Sequence, residues 1–318
     1  MKIVILDALT FGETSLEGFK QFGDVDTYQT TTPQETLKRI ENANVIVTNK
    51  VVITEAMIRT CAVRNEEVPS GHKDLKLICI AATGMNNVDL EAAKTNSIEV
   101  KNVAGYSTDS VIQHTFSILF YLIGHSRYYD EYVKDGSWAK SPVFTNVQEP
   151  FFEVKNKKWG IIGLGEIGRG VGSIAKAFGA EVSYYSTSGR NRTEDFQRQN
   201  LDDLLKESDI ISIHSPLNEA TSNLLDYEQL LTCKEGATIL NLGRGGIINE
   251  EAVAKIIDEK ELYFGLDVLE KEPMKEDHAL LHVKQKERLY ITPHIAWTSV
   301  EAREKLIAMT IQNIKESL

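Results

Sequence analysis

The chain has little cysteine: three residues in 318, Cys61, Cys79 and Cys233, far apart and set in apolar or helical surroundings. An odd count with no C-x-x-C spacing excludes a disulfide framework and a cysteine metal site, so no metal is expected, and a reducing cytosol is the compartment that fits. Seven prolines and 21 glycines exclude collagen-like and low-complexity classes. Long apolar runs are missing too. The longest, Phe116 to Ile123, is broken by Ser117 and falls short of the ~18 to 20 residues that a membrane span needs. The amino terminus runs from Met1-Lys2 through Ile3-Val4-Ile5-Leu6 straight into Asp7, too short for a signal h-region, and reads as a first strand. Basic charge is in deficit: 35 Lys and Arg stand against 46 Asp and Glu, a net charge of −11. The average field therefore repels a phosphate backbone or an anionic membrane surface, and neither nucleic acid nor membrane is an expected partner. A soluble, cytoplasmic protein is expected.

What is present is an ordinary globular composition, 42% hydrophobic and 25% charged, at a length suited to about two domains. Short β-branched runs alternate with helical periods, the pattern of repeated βαβ units in a doubly wound parallel sheet. A first series holds strands at Lys2 to Leu6, Val25 to Tyr28, Val45 to Thr48, Leu77 to Ile80 and Glu99 to Asn102, with helices near Ser15 to Phe22, Pro33 to Asn42 and Thr54 to Cys61. A long helix, Thr108 to Gly124, follows. After a polar, loop-rich passage a second series opens, with six strands at Lys158 to Ile162, Glu181 to Tyr185, Ile210 to His214, Thr238 to Asn241, Tyr263 to Leu266 and Arg288 to Thr292. The last segment, Val300 to Leu318, is helical with no strand after it and is expected to return to the first domain.

Gly163-Leu164-Gly165-Glu166-Ile167-Gly168 follows a strand and opens a helix, placed at Arg169 to Phe178 and closed by Gly179. In that context the pattern signals a dinucleotide: Gly163 for the tight turn, Gly165 for approach of a pyrophosphate, Gly168 for close packing of helix on strand. An NAD site would place an acidic residue at the end of the next strand. Here Ser186 stands there, with Thr187, Ser188, Gly189, Arg190 and Arg192 after it. Hydroxyls and an arginine suit a 2′-phosphate, so Ser186 and Arg190 lean toward NADP; the competing reading makes the arginines solvated loop charges and lets NAD bind through its ribose to Ser186.

Three strand ends in the second half carry chemistry. Asn241-Leu242-Gly243-Arg244-Gly245-Gly246 presents Arg244, whose planar fork matches a carboxylate. Asp267 to Pro273 presents carboxylates, Glu272 among them, and Thr292-Pro293-His294 presents an imidazole. Hydride transfer at a 2-hydroxy acid needs a carboxylate grip, a proton donor and acceptor, and a group that orients the latter. Arg244, His294 and Glu272 have those chemistries, since a carboxylate beside an imidazole stabilises its charged form. His214, in His214-Ser215-Pro216-Leu217, is better suited to lining the cofactor.

These segments, together with Thr83-Gly84-Met85-Asn86-Asn87-Val88-Asp89 and Tyr106-Ser107-Thr108-Asp109, resemble the D-isomer-specific 2-hydroxyacid dehydrogenase family nearly end to end. The resemblance implies two Rossmann-like α/β domains: a flavodoxin-like substrate domain, residues 1–102 and 294–318, split around an NAD(P)-binding Rossmann domain, residues 103–293, with homodimerisation through the latter. It implies Arg244, Glu272 and His294 as the catalytic set, Asp267 by the nicotinamide carboxamide, and Gly84 and Met85 near the substrate carboxylate. Gly163, Gly165, Glu166, Ile167, Gly168, Ser186, Arg190, His214, Ser215, Pro216, Thr108, Leu242, Gly243 and Asp267 then form the expected NAD(P)H set. Because substrate and cofactor groups come from different domains, closure is expected to exclude water. Pro293-His294-Ile295-Ala296-Trp297 and Thr48-Asn49-Lys50 are similar to the glycerate dehydrogenase and hydroxypyruvate reductase branch, where Lys50 adds a cationic substrate contact or is simply a surface lysine. A chain ending at Leu318 argues against the phosphoglycerate dehydrogenases that carry regulatory extensions. The expected reaction is reduction of glyoxylate or hydroxypyruvate. D-Lactate and phosphoglycerate dehydrogenases, a formate dehydrogenase and a nucleotide-sensing corepressor are the competing readings.

Overall fold

The computed structural model describes residues 1–62 and 75–317, so the expected end of the last helix at Leu318 lies outside the described residues. The chain divides into two compact units, Met1–Ser107 with Trp297–Leu318, and Thr108–Ala296. Both boundaries fall later than those read from the sequence. Val103 and Tyr106 are buried in the core of the first unit. Ile295 and Ala296 donate their N–H groups to Asp267 of the second.

In the first unit five strands, β1 (Lys2–Ile5), β2 (Asp24–Thr27), β3 (Val45–Thr48), β4 (Leu77–Ile80) and β5 (Glu99–Asn102), form a parallel sheet in the order β2-β1-β3-β4-β5. This is the flavodoxin-like order. Every residue of β3 and β4 is buried, because a parallel sheet of this kind is covered on both faces. Val45, Val47, Leu77 and Cys79 meet one apolar layer; Ile46, Ile78 and Ile80 meet the other. Helices α1 (Pro33–Ile40), α2 (Glu55–Ala62) and α3 (Leu90–Thr95) connect the strands. Pro33 opens α1 behind a Thr32/Glu35 capping box, which satisfies N–H groups that would otherwise be orphaned. The C-terminal helix, Val300–Ser317, places Ala302, Leu306, Ile307 and Ile314 in the first layer. Each large apolar side chain buried there is worth about 1.5–3 kcal/mol, which accounts for its return to this sheet.

The second unit opens with α4 (Thr108–Ile123) and α5 (Ser126–Lys134). Its parallel sheet has the order β12-β11-β10-β9-β6-β7-β8, from β6 (Lys158–Ile162), β7 (Glu181–Tyr185), β8 (Gln197–Arg198), β9 (Ile210–Ile213), β10 (Thr238–Asn241), β11 (Tyr263–Leu266) and β12 (Leu289–Ile291). That is seven strands rather than the expected six; β8 is two exposed polar residues and has no apolar pattern to betray it. Helix α6 runs from Glu166 to Ala177 with Gly165 as its N-cap, so it starts before the expected Arg169, and Gly168 lies inside it. Gly179, at φ +86°, stands just beyond the helix end, the left-handed position that favours glycine. Helices α7 (Leu201–Glu207), α8 (Tyr227–Thr232) and α9 (Glu250–Glu259) complete the unit. Helix α4 lies close on the sheet because Gly265 of β11 has no Cβ, which would collide with Ile118. No described helix is long and apolar enough to cross a membrane.

Candidate active site

In the second unit β6 is flanked by β7 on one side and β9 on the other, so consecutive connections leave it in opposite directions. The carboxyl edge at such a switch point is where doubly wound sheets open a ligand crevice. Gly163 turns there at φ +96°, and a Cβ on it would come within 2.8 Å of Ser215 N and 2.9 Å of His214 C. A Cβ on Gly168 would collide with the Gly163 carbonyl, whereas one on Gly165 would meet nothing within 4 Å. Two glycines are therefore required by packing, and the third leaves space over the α6 N-terminus, where N–H groups and the helix dipole favour an anion. Glu166 and Gly165 are exposed and Ile167 is partly buried; Thr108 Oγ1 donates to Glu166 Oε2 at 3.4 Å.

Around that space four buried polar atoms have no protein partner: Ser186 Oγ, Ser215 Oγ and both ring nitrogens of His214. Buried polar groups are seldom left unpaired, so these residues fit a polar ligand that supplies the missing bonds. Burial alone pushes the His214 pKa down to about 3, which keeps the ring neutral. Leu242 and Gly243 are buried beside them, and a Cβ on Gly243 would press on Ser215 O at 2.8 Å. Pro216 is exposed and its carbonyl accepts from Thr221 Oγ1 at 2.7 Å. Arg190 is exposed on the turn after Ser186, with its N–H on Ser188 Oγ at 3.3 Å. Arg169 joins this turn by donating to the Arg192 carbonyl at 2.7 Å.

The carboxyl ends of β10, β11 and β12, adjacent in the sheet, carry Arg244, Asp267 with Glu272, and His294. His294 Nδ1 lies 2.6 Å from Glu272 Oε2, and Glu272 Oε1 accepts the Leu269 N–H at 3.0 Å. His294 holds a left-handed φ of 54°, costly outside glycine; its N–H is shared between the carbonyls of Asp267 and Thr292, both at 2.9 Å. Arg244 is partly exposed, with Nη1 on the Gly243 carbonyl at 2.8 Å. Its loop abuts that of Glu272, since a Cβ on Gly245 would collide with backbone atoms of Leu269 and Glu270.

Asp267 is 2% exposed and organises the last of these loops. Its Oδ1 accepts from Thr292 Oγ1 at 2.6 Å and Ile295 N at 2.8 Å, and its Oδ2 from Ala296 N at 3.0 Å. Burial raises its pKa, against the pull of those donors and of His294. His114 of α4 closes the cluster, with Nε2 3.1 Å from Thr292 Oγ1 and 3.6 Å from Asp267 Oδ1. Its own pKa is lowered by burial, opposed by the Asp267 charge.

In the first unit the switch point lies between β1 and β3. Asp7, just after β1, accepts the N–H groups of Asn49 at 2.9 Å and Lys50 at 2.6 Å, and burial raises its pKa against them. Asn87, in the loop after β4 that carries Gly84 and Met85, donates to the Val51 carbonyl at 3.1 Å. Asn87 thus links the segment after β3, next to Lys50, to the loop that carries Gly84 and Met85. Lys50 is exposed and borders a cavity of about 630 Å³ shared with Asp7, Thr10, Thr31 and Met57.

The family model for the D-isomer specific 2-hydroxyacid dehydrogenase NAD binding domain matches residues 116–296. The chain belongs to the D-isomer-specific 2-hydroxyacid dehydrogenase family. A hydroxypyruvate reductase of Blautia hydrogenotrophica is 32% identical over all of this chain and 97% of that protein. A glycerate dehydrogenase of Methylorubrum extorquens is 31% identical over 99% of this chain and 95% of its own length. A solved acyclic imino acid reductase in complex with NADPH and D-Arg superposes with a TM-score of 0.82 at 28% identity, covering 99% and 96% of the two chains. This dehydrogenase is therefore a nicotinamide-dependent oxidoreductase of the CH–OH group, which favours turnover over a purely nucleotide-sensing role.

For several residues of this dehydrogenase that shape the site, motif reading does not give the contacts they make. Asp7 and Asn87 act through backbone N–H and C=O groups on other segments, a relation no spacing reveals. His114 carried a faint signal, being a polar residue between Val111 and Thr115 on the buried face of α4.

Proposed function

We propose that this dehydrogenase interconverts a small polar 2-keto acid, hydroxypyruvate or glyoxylate, with its D-2-hydroxy acid, using Arg244, Glu272 and His294. The 2.6 Å contact between His294 Nδ1 and Glu272 Oε2 is the observation that carries the reading. It occupies one ring nitrogen and leaves Nε2 to exchange the proton of the substrate hydroxyl, while Glu272 fixes the ring against rotation. The bound nicotinamide would supply or accept the hydride. Arg244 would grip the substrate carboxylate through two N–H donors. Asp267 would take the carboxamide N–H as well as hold the His294 loop. Lys50, Gly84 and Met85 are assigned to the substrate from within the first unit, which serves as the substrate domain; the second serves as the NAD(P) domain.

The cofactor residues are assigned as Thr108, Gly163, Gly165, Glu166, Ile167, Gly168, Ser186, Arg190, His214, Ser215, Pro216, Leu242 and Gly243. The absence of an acidic side chain at buried Ser186, with Arg190 exposed beside it, supports NADP over NAD. Homodimerisation through the second unit is supported by a run of exposed apolar side chains, Trp138, Phe144, Val147, Phe151 and Phe152, which a partner surface would cover. A cytoplasmic setting is supported by three buried free cysteines. The net charge of −11 supports a small-molecule partner without nucleic acid or membrane.

Oxidation of NADH and NADPH, followed at the nicotinamide absorbance band with hydroxypyruvate, glyoxylate, pyruvate and 3-phosphohydroxypyruvate, tests the assignment. Hydroxypyruvate or glyoxylate with NADPH is expected to give the highest kcat/KM. A pyruvate or phosphorylated-substrate preference would overturn the substrate reading, and an NADH preference the cofactor reading.

A further inference from the structure

We infer that Glu250 and His278 form a remote anchor for the loop that carries Glu272, and so act as positioning residues for the proton-transfer pair. The inference rests on the reading that Glu272 and His294 serve that transfer. Glu250 is the first residue of α9, next to the Asn249 cap, and His278 precedes a single 3₁₀ turn. Their side chains are 11% and 13% exposed. Both oxygens of Glu250 are engaged: Oε1 accepts the Glu270 N–H at 2.6 Å, and Oε2 lies 2.9 Å from His278 Nε2. His278 Nδ1 accepts the Leu280 N–H at 3.3 Å. That bond fixes the tautomer, because a ring nitrogen that accepts leaves the other to donate, so His278 donates to Glu250.

In the same segment, the Leu269 N–H goes to Glu272 Oε1 and Glu272 Oε2 meets His294 Nδ1. Consecutive N–H groups, at 269 and 270, are thus each held by a carboxylate, one from within the loop and one from α9. The two N–H groups belong to adjacent peptide planes that meet at the Leu269 Cα, so pinning the Glu270 N–H leaves only the Leu269 φ and ψ through which the Leu269 N–H can turn, and limits with it where Glu272 points. Gly245 packs on the same two residues. An exposed His–Glu pair would be worth little. A largely buried one has a desolvation cost, yet this pair is used in full, its side-chain polar atoms matched to each other or to the Glu270 and Leu280 N–H groups. Nothing in the hydride chemistry requires it directly.

The test uses the full chain. His278→Leu removes the donor, His278→Gln returns an N–H near the Nε2 position, and Glu250→Gln keeps an oxygen for Glu270 but sets an amide N–H against His278. For each, kcat and KM with the best keto acid, cofactor Kd by nicotinamide fluorescence and Tm are measured, with Glu272→Gln alongside. His278→Leu and Glu250→Gln are expected to lose about tenfold in kcat, as misplacement of a reacting group does, with cofactor Kd changed less than about twofold. His278→Gln is expected to recover most of the loss. Should His278→Leu fail to fold, Glu250→Gln against His278→Gln still decides. Full turnover in Glu250→Gln while Glu272→Gln is impaired would overturn the anchor alone. Equal losses in His278→Leu and His278→Gln would also overturn it. Full turnover in Glu272→Gln would overturn the proton-transfer reading and the anchor with it.

Discussion

His294 Nδ1 and Glu272 Oε2 stand 2.6 Å apart on loops that leave neighbouring strands, β12 and β11. The pair is held from both sides: Glu272 by the Leu269 N–H, His294 by the Asp267 cluster that accepts from Thr292, Ile295 and Ala296. Two backbone-anchored loops fix one imidazole, and this pre-organisation lets a side chain exchange a proton without first searching for its geometry.

His294→Ala should therefore lower kcat by about 10²–10⁴-fold, the usual worth of a positioned acid or base, and leave cofactor affinity nearly unchanged. Arg244→Lys should raise KM for the keto acid as well as lower kcat, because a point charge cannot copy the planar two-donor contact. Steady-state kinetics beside fluorescence titration of the cofactor separates the two. Full turnover in His294→Ala would remove the imidazole from the mechanism.

Gly245→Ala probes how closely the Arg244 loop lies on the Glu272 loop. Its added methyl would collide with backbone atoms of Leu269 and Glu270, which have no side-chain rotamer to yield. We expect a loss of about 1–3 kcal/mol in denaturant unfolding together with reduced kcat. Unchanged stability and turnover would show that the two loops separate freely.

Much of this was legible in the amino-acid order. Strands β3, β4, β6 and β10 stand where their β-branched runs lie, because a doubly covered parallel strand is apolar throughout and bounded by polar turns. The glycine fingerprint could be read because a strand precedes it and a helix follows it, and the His294–Glu272 pair because two strand-end segments present an imidazole and a carboxylate. What stayed hidden depends on contacts distant in sequence. Glu250 and His278 are 28 residues apart and look like solvated helix and loop charges. His114 reaches Thr292 across 178 residues. The sequence pattern sets the start of α6 too late, since Glu166-Ile167-Gly168 reads as loop, although Gly165 caps the helix.

Ser186 tests the cofactor assignment. It is 6% exposed and its hydroxyl has no protein partner. Ser186→Asp would place a carboxylate where it accepts from ribose hydroxyls and repels a 2′-phosphate. The ratio of kcat/KM for NADPH over NADH should fall at least about tenfold, or roughly 1.4 kcal/mol; an unchanged ratio would mean that Ser186 does not face that part of the cofactor.

The buried imidazoles predict how stability depends on pH. Burial pushes the His214 pKa from its ordinary 6.5 down to about 3, and that of His114 downward in the same sense against the Asp267 charge. Between pH 6.5 and about 3 the unfolded chain binds a proton at His214 that the native protein refuses. Stability from this group is thus fully present above pH 6.5 and is lost as the pH falls, at up to about 1.4 kcal/mol per pH unit. Asp7 and Asp267, whose pKa values burial raises, act in the opposite sense, so the comparison of variants isolates the histidine. Urea unfolding of the cofactor-free protein from pH 7.5 to 5 should show a falling unfolding free energy, and His214→Asn should be distinctly flatter over the same range. Parallel curves for the two proteins would mean that the His214 ring accepts a proton in the folded state as readily as in the unfolded chain.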